Sequence, residues 1–208
     1  MDALTLIATA AGLGWASGMR VYAVLFFLGV LHHAGIYELP ANLHVLSHPA
    51  VMVVSGVLFG LEFFADKVPG VDTVWDAVHT FIRIPAGAVL AAAAVASADP
   101  GLAVAAGLLG GVIAAGTHLT KAGSRALINT SPEPVSNWAA SLGEDAISVL
   151  GLYAALKYPL LFLVLLALFI GLAVWLVPRI WRGVKRLFAA LRRLLGTAAR
   201  NSLPPKVR

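Results

Sequence analysis

Long apolar runs, separated by short polar or Pro/Gly-marked segments, dominate this chain. A helix needs about 20 apolar residues to cross a bilayer. Six runs approach or exceed that length, at about 4–31, 50–64, 72–98, 102–120, 138–156 and 159–177. The breaks between them carry turn chemistry: Pro40 and Pro49, Asp66-Lys67-Val68-Pro69-Gly70, Asp99-Pro100-Gly101, and Ser131-Pro132-Glu133-Pro134. The first run is too long for a signal-peptide core and lacks a positive leader, so it is not read as cleaved. Pro85 is expected to kink the third run and free carbonyls there. Ser136 is read as the cap of the fifth helix, and the segment 129–137 as a rigid turn or a gating loop.

The pattern predicts an all-α, polytopic transmembrane bundle of about six spans over residues 1–178. From 179 to 200 it changes. Ile180, Val184, Leu187, Leu191 and Leu194 recur at helical spacing among Arg182, Lys185, Arg186, Arg192 and Arg193. That is a basic amphipathic helix, expected to lie on the membrane surface. Residues 201–208, with two prolines, are expected to be a disordered tail.

Composition agrees. Apolar residues make up 60% and charged residues 12% of the 208, and mean hydropathy is +0.88. Soluble domains carry about 45–50% and about 25%. With no cysteine, a disulfide scaffold is excluded. The net charge of +5 belongs to the tail, since from Arg179 onward nine residues are basic and none acidic. Such a tail points to an anionic lipid leaflet and not to nucleic acid. Six crossings place both termini on one side. Lys67, Lys121, Arg125 and the tail then make that side cytoplasmic, leaving Lys157 opposite. The expected location is a bacterial cytoplasmic (inner) membrane, with N- and C-termini cytoplasmic.

Charges inside the spans carry the functional signal, because each costs about 2.5–3.5 kcal/mol to insert and usually faces the bundle interior. Asp72, Asp76, His79 and Arg83 share one face of the third span. Glu62 and Asp66 share a face of the second. Thr117, His118, Lys121, Ser124 and Arg125 fall together on the fourth. Asn137, Ser141, Glu144 or Asp145, and Ser148 mark the fifth, and Arg20 lies deep in the first. We expect Arg20, Glu62, Asp66, Asp72, Asp76, His79, Arg83, His118, Lys121, Arg125, Asn137, Glu144 and Asp145 to converge on a cavity. The bland alternative is an ion-pair network that only joins helices. It is the weaker reading, because buried ion pairs stabilise little.

In a cavity, arginines suit planar anions and the acids can relay protons. Asp76 and His79, at i and i+3, form a weak candidate metal pair, without a second such pair and with arginines nearby. His79 and His118 can titrate near neutral pH, but each alone is more often a hydrogen-bonded packing residue. His32, His33, His44 and His48 lie in the loop after the first span. Their spacing is loose, Glu38 is the only carboxylate near, and we read the segment as an exposed loop. No P-loop, Gly-x-Ser-x-Gly or HExxH is present, so neither an enzyme nor a cofactor is expected.

Gly18-Met19-Arg20 echoes Gly123-Ser124-Arg125, and Gly-Leu-Glu at 60–62 echoes Gly-Glu at 143–144. These echoes allow a 3+3 inverted repeat. The small-residue faces at Gly14/Gly18 and Gly107/Gly111 can pack within one subunit or between two copies of a homo-oligomer.

Two stretches, Glu62 through Asp76 to Gly87 and Thr120 through Arg125 to Asn137, resemble an uncharacterised bacterial integral membrane family, domain-of-unknown-function family 4126. The resemblance covers about residues 4–175. It implies that these polar segments are the family's core, and it brings no activity. A weaker similarity, Arg83 near Pro85 and Gly87, is to the DedA-like lipid transporters. Their second arginine after Pro-Gly is missing here, so a lipid-phosphate carrier is an analogy only. The expected function is a small transporter or channel for a small anion, polar solute or lipid headgroup. The alternatives are a membrane scaffold or assembly factor and, third, a membrane enzyme or divalent-metal-binding protein.

Overall fold

Each helix begins where the sequence supplies a cap. In the computed structural model, which describes residues 2–68, 70–129 and 134–201, Asp2 accepts from the Thr5 amide and opens α1 (Ala3–His33). A 3-10 helix (Ala41–Ser47) follows. His48 and Pro49 open α2 (Pro49–Ala65). Gly70, at φ +88°, makes the turn into α3 (Val71–Val95). Asp99 and Pro100 open α4 (Pro100–Ile128). Then come α5 (Pro134–Lys157) and α6 (Pro159–Asn201). Among the described residues there is no strand. Five helices are long and apolar enough to cross a membrane, and α2 joined to its 3-10 neighbour, at a 69° bend, makes a sixth. The chain is a multi-pass helical membrane protein.

The first span departs from expectation. Arg20 has non-helical φ −148° and ψ 72° inside α1. In a straight helix, His33 would stand roughly 36 Å beyond Thr9 at ~1.5 Å per residue. Four more residues can recover at most about 14 Å of that. Yet the Tyr37 hydroxyl lies beside the Thr9 hydroxyl, beyond strict hydrogen-bond distance. Asn42 donates to Ser97 at 2.9 Å, while Ala3 and Leu6 line one cavity with Val95, Ala98 and Leu102. So α1 doubles back at Arg20, and both of its arms return to the end where α3 meets α4.

Contacts along the arms agree with this. In the first arm, Gly14 and Gly18 pack on Gly110 and Ala114 of α4. In the second, Phe26 covers Gly56 and Gly29 packs against Leu46 and Met52. Because α6 starts near Gly12 and runs past Trp15 through Phe162 and Phe169, it ends at the other end of the bundle. The expectation that both termini share one end is therefore corrected. It assumed a straight first span, and the reversal at Arg20 changes the number of passes by one. The repeat pairing of α1 with α4 meets the same obstacle, since α4 runs unbroken through residues 100–128.

The glycine faces pack within the chain. A Cβ on Gly14 would lie 2.8 Å from the Gly110 backbone, and one on Gly107 or Gly111 would lie 3.3 Å from Ala92 or Ala88 of α3. This small-residue seam lets α1, α3 and α4 approach closely. Pro85 sits inside α3 without interrupting it. Pro178 likewise sits inside α6, so the boundary expected there falls within one helix. That helix has 43 residues, about 65 Å at ~1.5 Å per residue, against a hydrocarbon core of about 30 Å. Ser136 lies within the first turn of α5 and not before it. Residues 130–133, with Ser131 and the heart of the supposed gating loop, lie outside the described residues, as does the tail beyond Asn201.

Candidate functional site

The fold-back carries Arg20 to the level of the α2–α3 turn, the last turns of α4 and the first half of α5. Four segments that are far apart in sequence therefore meet around one guanidinium. Arg20 Nη1 lies 2.6 Å from Asp66 Oδ2, and Nε lies 3.0 Å from Asp145 Oδ1. Its Nη2 donates to the Ser141 carbonyl at 3.3 Å and lies 3.7 Å from Glu144. Asp66 is the hub. The same Oδ2 meets Lys121 Nζ at 3.0 Å and Arg125 Nη2 at 3.5 Å.

The network extends to both sides of Asp66. Lys121 bridges to Asp76 at 3.3 Å and Glu144 at 3.7 Å. Arg83 pairs with Asp76 at 2.7 Å and Glu62 at 2.5 Å. Arg125 holds Glu144 with a two-point fork, Nε to Oε1 at 2.9 Å and Nη2 to Oε2 at 3.1 Å. Its Nη1 donates to the Asn137 carbonyl at 3.1 Å and to the Asn137 side-chain oxygen, and the Asn137 amide donates to the Asp66 carbonyl at 3.2 Å.

These groups are buried. Arg20, Glu62, Asp66 and Arg83 have no side-chain exposure, whereas Glu144 and Asp145 are 12% and 16% exposed. Access to the network therefore runs through those two carboxylates. Five carboxylates face four cations within ion-pair distance. A fifth cation, Lys67, stands alongside, donating to Ser141 Oγ at 3.5 Å and to the Phe63 carbonyl at 3.1 Å, with its ammonium over the Phe63 ring. Burial pushes that ammonium below the usual lysine range, and Asp145 opposes the shift. With Lys67 the formal charges balance, although Glu62 Oε2, Asp66 Oδ1 and Arg83 Nε are buried without a hydrogen-bond partner among the described residues.

The histidines are read from their partners. Arg83 Nη1 donates to His118 Nδ1 at 3.0 Å, so Nε2 carries the proton and donates to Thr80 Oγ1 at 2.7 Å. Thr80 in turn donates to the Asp76 carbonyl at 3.0 Å. His79 Nδ1 donates to the Trp75 carbonyl at 2.7 Å, and Nε2 lies 3.1 Å from the Tyr22 hydroxyl. Both rings are positioned by hydrogen bonds at each nitrogen. Asp76 and His79 turn to different partners, Asp76 to Arg83 and Lys121, and His79 to Tyr22 and to Trp75, on which it stacks.

Of the thirteen residues expected to converge, Asp72 and His79 stand apart from the ion-pair network. Asp72 accepts from the Gly70 and Thr73 amides and from the Asn129 side chain, at 2.6–3.1 Å, which pins the start of α3 to the end of α4. Glu144 and Asp145, read as alternatives, both belong to the network. Lys67 carries only the signal of a turn charge in the sequence. Ser141 was seen on the polar face of α5 but not placed in the site. Tyr22, Trp75 and Thr80 carried no sequence signal.

Comparison with known proteins fits this picture. Residues 7–179 match the model of a family described as "Domain of unknown function (DUF4126)", and the chain belongs to that family. No curated protein and no solved structure matches the chain. The match ends at 179, so the network lies wholly inside the family region and most of the basic segment lies outside it.

Proposed function

We propose that this member of the family is a small transporter, held closed, that moves a small anion together with a proton. One observation carries the reading. At the accessible edge of the network, Arg125 grips the Glu144 carboxylate with a planar fork. That is how arginine binds a free carboxylate or a phosphate, so Glu144 occupies the place an anionic substrate would take.

Charge balance then supplies the mechanism. A proton arriving on Glu144 neutralises it and frees the fork of Arg125. An incoming monoanion restores the lost negative charge, so the buried charge is unchanged. Either step alone would leave an uncompensated charge at several kcal/mol. A phospholipid phosphate offers the fork the same chemistry as a free phosphate.

Reconstituted vesicles test this. Imposing a proton gradient with radiolabelled methanesulfonate or inorganic phosphate outside should drive uptake that a potassium diffusion potential does not alter. Arg125→Gln and Glu144→Gln should each abolish it. Absence of proton-driven uptake of either anion overturns the reading. A lipid substrate shows itself instead as headgroup movement between leaflets.

The positive-inside rule supports the network end and the C-terminus being cytoplasmic, with the N-terminus opposite because of the fold-back. The basic part of α6, extending beyond a span's length, is suited to an anionic leaflet.

A scaffold is favoured by one feature, that every network cation already has a carboxylate partner. A scaffold should tolerate Arg83→Gln combined with Asp76→Asn and fail on loss of residues 179–208. A transporter should do the reverse.

A further inference from the structure

We propose that His32, Glu38 and His44 form a binding site for a divalent transition-metal ion of the zinc class, at the end of the bundle away from the charge network. The three come from different segments: the last turn of α1, the connecting loop and the 3-10 helix. Their ligand atoms all lie within 4.8 Å of one another. His44 Nε2 is 3.4 Å from Glu38 Oε1, and His32 Nδ1 is 4.0 Å from Glu38 Oε2. A tetrahedral ion with bonds of about 2.0–2.1 Å places its ligand atoms about 3.3–3.4 Å apart. One distance therefore fits already, and the others need to close by up to about 1.5 Å.

The backbone holds the set in place. Glu38 and His44 each adjoin a buried leucine, Leu39 at 3% and Leu43 at 2% exposure, so both segments are tied to the core. The imidazoles stack with centroids 4.3 Å apart, which keeps them on one side of the loop. Glu38 is 82% exposed and free to swing onto an ion. Competition inside the site is slight. His32 Nδ1 has only contacts at 3.4 Å, to the Leu39 amide and the Tyr37 carbonyl. The one strong bond is His44 Nε2 to the Leu39 carbonyl at 2.8 Å, and an ion displaces it. Two imidazoles and a carboxylate suit zinc, and they leave a fourth position open to solvent. Bound, the ion would staple the 3-10 helix to the second arm of α1, fixing the returning arm of the fold-back. None of these residues belongs to the anion site proposed above.

The test uses the full chain in detergent, purified through a removable tag without histidines. Calorimetry and elemental analysis with Zn2+, and absorption spectroscopy with Co2+, should find one ion per chain in tetrahedral coordination. Losing an outer partner of a metal site typically costs about 10–100-fold in affinity, so losing a ligand should cost at least ~100-fold. We expect that loss for His32→Ala and His44→Ala, and about tenfold for Glu38→Gln, whose neutral amide oxygen can still reach the ion as a weaker ligand and whose exposure keeps the change from disturbing folding. His33→Ala and His48→Ala should bind within about twofold of the parent. No Zn2+ binding, or binding unchanged in the His44→Ala and Glu38→Gln chains, overturns the site.

Discussion

The two ends of the bundle each gather ionisable side chains, and they do so under opposite conditions. At one end, nine charges interlock around Asp66 with almost no exposure. At the other, His32, Glu38 and His44 meet in a loop where the His44 side chain is 44% exposed and Glu38 82%. Water can replace a lost partner at the second end and not at the first. The same chemical change should therefore be severe at one end and nearly silent at the other. Burial, and not the number of charges, sets the cost of losing a partner.

The sharpest way to break the comparison is to ask whether the ends lie on opposite sides of the membrane. The chain has no cysteine, so single cysteines report cleanly. Ala3→Cys and Glu38→Cys should label with a membrane-impermeant thiol reagent from one side only, and Val68→Cys from the other side only. Opposite labelling of residues 3 and 38 would mean that α1 crosses straight through.

Next in size is Arg20→Gln, which leaves Asp66 and Asp145 without their main partner. Loss of one member of a buried pair costs about 3–5 kcal/mol, read as a lower thermal midpoint in detergent. Replacing both members of a pair, Arg83→Met with Glu62→Leu, should cost less than the sum of the single changes, by about 0.5–3 kcal/mol of coupling. Additivity in that cycle would show that the two charges do not depend on each other. Gly18→Ala tests the seam beside the network. A Cβ there would strike the Ala114 carbonyl and Thr117, at a cost of about 1–3 kcal/mol. Smallest of all is Glu38→Gln in metal-free buffer, expected to change stability by no more than about 0.5 kcal/mol.

Much of the network was legible before any coordinates. Charges are so costly in hydrocarbon that stripes such as Asp76/Arg83 and Lys121/Arg125 have to face inward and meet opposite charge. Asp72 misled because i+4 spacing reports the face of a helix, not the depth along it, and at the helix start its carboxylate is captured by free amides. Lys67 misled in the other direction. A lysine in a turn reads as solvated, and only the packing of Phe63 and Ser141 over it reveals burial. The histidine cluster was read as loose because its members are spaced irregularly along the chain. They meet through a loop path that periodicity does not describe.

By itself the sequence determined the class, the helices, most of the breaks between them and the residues that had to be buried as charges, because those follow from local chemistry and from the cost of desolvation. The direction of the first helix was decided by tertiary structure alone. Nothing in the run from Leu4 to Leu31 marks a reversal, since Arg20 sits in a segment whose composition suits an uninterrupted span. The partners that hold a broken turn at Arg20, namely Asp66, Ser141 and Asp145, lie on α5 and at the end of α2. A backbone conformation of that kind persists only when the surrounding structure overdetermines it. Here the end of α2 and the first half of α5 converge on the guanidinium of α1 to do so, and no local pattern could have announced it.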